Sequence, residues 1–65
     1  MSPKYPGIKV KLLGEDGNAF AIMGKVRRAI QDVKGREEAD VYIEEATLGD
    51  YDNLLRVTME WVEVE

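Results

Sequence analysis

The sequence predicts a small α+β domain ordered strand, helix, helix, helix, with a short strand at its C-terminal end. Three observations carry that prediction. "IKVKLL" (8–13) and "VEVE" (62–65) alternate apolar and charged residues, the period of two that a half-buried strand requires. From Asn18 to Lys34 the apolar spacing lengthens to that of an amphipathic helix. Beyond it, breaks at Gly35 and "LGD" (48–50) leave room for two shorter helices. Residues 1–65 therefore read as one domain, near the size at which a single core is only marginally sufficient.

"MSPKYPG" (1–7), with two Pro and a Gly, reads as a loose lead-in. In the first strand Ile8, Val10 and Leu12 face one side and Lys9 and Lys11 the other, until Leu13 breaks the pattern. Stepping the next segment at 100° per residue gathers Ala19, Ile22, Met23, Val26, Ala29, Ile30 and Val33 within an arc of about 120°. Asn18 suits the N-cap, where its side-chain oxygen accepts from a free first-turn N–H, and Gly35 suits the positive-φ residue past the end. "REEADVYIEEAT" (36–47) follows as a second helix with Ala39, Tyr42, Ile43 and Ala46 on one face, and Glu37 and Glu38 at the positive end of its dipole. Gly49 stops it and Asp50 caps a third helix running to about Trp61, whose inward face carries Tyr51, Leu54, Leu55, Thr58, Trp61 and Val62. The final strand is expected antiparallel to the first, with Val62 and Val64 inward and Glu63 and Glu65 opposite Lys9 and Lys11. The competing reading continues the third helix through Val62.

The stretches "VKLLGEDGNAF", "EATLGDYDNLL" and "WVEV" resemble a group of small uncharacterised bacterial proteins. That resemblance implies a complete natural domain and brings no activity, ligand or site with it.

Composition excludes more than it assigns. Without Cys or His the chain has no disulfide, no thiolate zinc and no imidazole base. No apolar run is long enough to span a bilayer and the N-terminus lacks a signal core, so a cytoplasmic protein away from membranes is expected. "GEDGN" (14–18) fails as a calcium loop, because Phe20 and Ala21 fall where an oxygen ligand and the required Gly belong. It fails as a phosphate loop around Gly24-Lys25 because Ala19 and Val26 replace the first Gly and the Ser or Thr. Gly14 and Gly17 lack dinucleotide spacing. A strand-to-helix turn remains, with no cofactor and no metal. Ser2, Thr47 and Thr58 have no recognisable base beside them. The pairs Glu37-Glu38 and Glu44-Glu45 point about 100° apart on a helix, so no enzyme is expected.

Charge is unevenly laid out within the net value of -4. Residues 1–36 carry eight basic groups against three acidic, whereas residues 37–65 carry Arg56 against ten acidic. Lys25, Arg27, Arg28 and Lys34 on the outward side of the first helix make nucleic-acid or phosphate-partner binding the alternative function. The acidic second helix would repel a phosphate backbone, which makes nucleic acid the weaker partner. The oddity that nominates a surface is Gly24, on the polar side of the first helix, where Gly costs roughly 1 kcal/mol relative to Ala. Phe20 lies one turn before it, with Arg27, Arg28 and Gln31 close by: an apolar ring beside bare backbone, rimmed by Arg. The expectation is a non-enzymatic protein-interaction or regulatory module with a protein partner, self-association included. The competing reading folds Phe20 over its own core and has another element pass close to Gly24.

Overall fold

In the computed structural model, which describes residues 3–12 and 18–65, five elements follow the expected order. They are β1 (Tyr5–Val10), α1 (Ala19–Lys34), α2 (Arg36–Ala46), α3 (Tyr51–Trp61) and β2 (Val62–Val64). β1 begins before the alternating run, so Tyr5, Pro6 and Gly7 are strand rather than lead-in. Leu12 lies past the strand's end, half-buried against the core.

The two strands form a parallel pair, with Tyr5 opposite Val62, Lys9 opposite Glu63 and Val10 opposite Val64. The antiparallel arrangement expected from the sequence is thereby corrected. Alternation states which side chains face inward, and reversing a strand leaves that set unchanged; direction is decided by the path of the chain between the strands. Here α1, α2 and α3 together form the crossover that a parallel pair needs, and α3 passes into extended backbone at Val62 (φ -132°, ψ 164°) with no intervening loop. The inward set matches expectation, with Ile8, Val10 and Val62 buried and Lys9 and Glu63 on the solvent side. The register slips between Tyr5 and Lys9, where Pro6 has no N–H to give a ladder. Beyond the strands, Lys4 N–H donates to the Glu60 carbonyl (2.7 Å) and Glu65 N–H to that of Val10 (2.8 Å).

Local chemistry sets the helix ends. The Asn18 side chain accepts from Ala21 N–H (3.1 Å) and that of Asp50 from Asn53 N–H (3.0 Å), each satisfying a first-turn donor. Gly35 alone joins α1 to α2, at φ 95° and ψ 170°, a region that only glycine enters without strain. Its N–H donates to the Gln31 carbonyl and its own carbonyl accepts from Ala39 N–H, so one residue closes one helix and opens the next. At the other end of α2, Asn53 Nδ2 donates to the carbonyls of Glu45 (3.2 Å) and Ala46 (3.4 Å). Gly49 permits this approach, since a Cβ there would stand 2.8 Å from Asn53 Cβ.

The core lies between the helices and one face of the sheet, with Val26, Ile30, Ala39 and Tyr42 wholly inaccessible. Tyr42 and the equally buried Thr58 bond through their hydroxyls at 2.7 Å. Burial pushes the Tyr42 phenol pKa up, opposed in part by the Thr58 hydrogen bond. Trp61, 3% exposed, packs edge-on to Tyr42 with centroids 5.9 Å apart, lies 5.8 Å from Tyr5, and donates its indole N–H to Glu45 Oε1 (2.8 Å). The Lys4 ammonium sits 4.3 Å from the Trp61 ring centroid and 3.7 Å from Glu38 Oε2. This pins the start of β1 onto the end of α3. The Tyr5 phenol pKa is raised by desolvation and then by the neighbouring Glu38 carboxylate.

Candidate interaction face on the first helix pair

The five residues nominated from the sequence fall along one side of α1. Phe20, Gly24, Arg28 and Gln31 are exposed, and Arg27 is half-buried, its Nη2 3.5 Å from Asp40 Oδ1 on α2. Phe20 is 84% exposed, so it does not fold over its own core. A Cβ built on Gly24 would meet nothing within 4 Å, so no described element passes close to it. Among the described residues neither competing explanation is seen, and a bare ring stands one turn from an open stretch of helix backbone.

α2 completes the face. It runs antiparallel to α1, because Gly35 turns the chain at one end while, at the other, Phe20 and Met23 line a groove with Ala46 and Thr47. Arg27 and Asp40 mark the seam between the helices. As a partly exposed ion pair this contact contributes little stability, and it ties a cationic helix surface to an anionic one. Lys25 and Arg28 are exposed on α1, and Glu37, Glu44 and the apolar Val41 are exposed on α2.

Two features escaped the sequence reading. Leu48, in the turn between α2 and α3, is 80% exposed, at the same end of the hairpin as Phe20. Beside it a groove of about 290 Å³ opens between the start of α1 and this turn, walled by Phe20, Met23, Ala46, Tyr51 and Leu54. The available signal was a large apolar residue next to Gly49 that no helical period could place inward. In the other direction Val33, expected on the core face, is 62% exposed in the last turn of α1. There it borders a hollow of about 310 Å³ with Lys4, Pro6 and Lys34.

Two of the hydroxyls considered as nucleophiles are engaged within the fold. Thr58 is bonded inside to Tyr42, and Thr47 Oγ1 donates to the carbonyls of Ile43 (2.8 Å) and Glu44 (3.2 Å). Among the described residues, no three His, Cys, Asp or Glu side chains converge as a metal site, and no helix is long and apolar enough to cross a membrane. Of "GEDGN", the turn reading for residues 14–17 lies outside the described residues, and Asn18 is the cap already noted. Comparison with models of known protein families, with curated proteins and with solved structures finds no match to this chain.

Proposed function

We propose that the protein is a non-enzymatic interaction module of the cytoplasm that docks a protein partner on the outer face of the α1–α2 hairpin. The observation that carries this reading is the 84% exposure of Phe20 at the rim of an apolar groove. Covering an aromatic ring of that kind recovers about 1.5–3 kcal/mol of hydrophobic free energy, which the isolated fold leaves unused. Leu48 adds apolar surface at the same end, Arg27 and Arg28 supply a polar rim, and Gly24 lets a partner approach the backbone. The acidic side chains of α2 alongside favour a protein over a polyanion, whose phosphates would meet Glu37 and Glu44.

The test is photocrosslinking from benzoylphenylalanine placed at position 20, with the same group at Met59, exposed on α3, as control. Adducts to protein from position 20 and not from position 59 are expected. Absence of any adduct at 20, or equal labelling from both positions, would overturn the reading.

A further inference from the structure

We infer that the partner of this face is a second copy of the chain, in a two-fold dimer in which α1 of each protomer lies on α2 of the other. This rests on the reading of the α1–α2 face as an interaction surface and names its occupant. Two such hairpins can stack face to face with their helices aligned in two symmetric ways. With the two-fold axis running across the helices, α1 meets α1 and α2 meets α2. With the axis running along the hairpin, α1 of each protomer meets the partner's α2, and in both cases the assembly closes as a dimer.

Charge chooses between them. In the first arrangement Arg27 and Arg28 of α1 face their own copies, and Glu37 and Glu44 face theirs. Like charges so juxtaposed oppose association. In the second arrangement every one of these meetings changes sign. Because α1 and α2 are antiparallel with Arg27 beside Asp40, Arg28 comes level with the partner's Asp40 and within a turn of the partner's Glu37. The same geometry brings two strongly exposed apolar residues together, since Phe20 and Leu48 share one end of the hairpin and each would lie over the other from the facing protomer.

Gly24 then has a physical role. A helix whose outer surface lacks a side chain at mid-length allows a facing helix to come closer, and no atom of the described residues stands within 4 Å of where its Cβ would be. The opposite charges of the exposed sides of α1 and α2 follow too, because a face that is half cationic and half anionic across a two-fold axis complements itself.

Sedimentation equilibrium on the full chain tests the inference. The wild-type protein is expected at twice the chain mass of 7.4 kDa. Arg28→Glu and Glu37→Arg should each weaken association by about tenfold or more, and the double variant, which restores opposite charges across the interface, should regain most of it. Gly24→Gln, whose side chain has open space in the single subunit, should keep the helical circular dichroism and lose the dimer. A wild-type protein of single-chain mass up to millimolar concentration would overturn the inference. So would a single reversal that tightens association, or a double variant no better than either single one. If the protein is monomeric while position 20 still crosslinks to another protein, the second copy is wrong and the interaction reading stands; if position 20 crosslinks to nothing, the reading itself is wrong.

Discussion

Trp61 and Phe20 are two large aromatic side chains with opposite fates. Trp61 is enclosed by Tyr5, Tyr42 and the Lys4 ammonium, with its indole N–H satisfied by Glu45. Phe20 has an apolar groove beside it and solvent over it. The fold therefore can enclose an aromatic ring fully, polar atom included, and at the start of α1 it does not. The difference separates a region where contacts are used up in holding three elements together from one where contact capacity is left over.

Removing the enclosed ring should have the largest effect. Trp61→Ala is expected to cost about 3–5 kcal/mol, enough to unfold much of a domain this small, seen as a collapse of the denaturant midpoint. A smaller effect is expected one layer in. Thr58→Val leaves the Tyr42 hydroxyl buried without a partner and should cost about 1–3 kcal/mol, while Thr58→Val with Tyr42→Phe should cost less than the two single changes together. Tyr42 also makes a pH prediction. Its folded pKa is raised above the ordinary 10.0, so its contribution to stability is complete below that value and falls as pH climbs through it. Urea titrations on the alkaline side should show that decline, reduced in Tyr42→Phe and continuing through Tyr5, whose pKa is raised as well.

On the open side the effects should be small or favourable. Gly24→Ala in the Arg28→Glu background, where association is weakened, should raise stability by up to about 1 kcal/mol through helix propensity, read as a higher melting temperature; a loss would show that something packs against Gly24. Phe20→Ser in the same background should change stability by less than about 0.5 kcal/mol, because little of the ring is buried. A large destabilisation there would erase the contrast with Trp61.

What could be read from the chain alone was what is local. Asn18, Gly35 and Asp50 mark helix ends through bonds to residues a few positions away, and those bonds are present. The helical arcs placed Ile22, Val26, Ala39, Tyr42, Leu54 and Trp61 inside, where they are. The direction of β2 was invisible because it belongs to the helical path rather than to "VEVE". Pro6 and Gly7 after Tyr5 make 1–7 read as a lead-in. The place of Tyr5 in β1 comes from distant partners, Val62 in register and the Trp61 ring, that local pattern cannot anticipate. Phe20 and Gly24 were identifiable as oddities on the helical wheel, yet their exposure depended on whether another element covered that side. Leu48 had no periodic frame at all.

The parallel pairing of β1 with β2 also dictates an order of events. The paired residues are separated by nearly the whole length of the chain, so closing the sheet carries the loop-entropy cost of everything between, and α1, α2 and α3 have to stack before that closure is repaid. Until then β1 is an orphan strand with both of its hydrogen-bonding edges open, the state in which strands recruit the wrong neighbour. Lys9 and Lys11 put charge beside its apolar residues, a pattern that disfavours pairing between two such strands, and in the closed sheet Lys9 stands opposite Glu63.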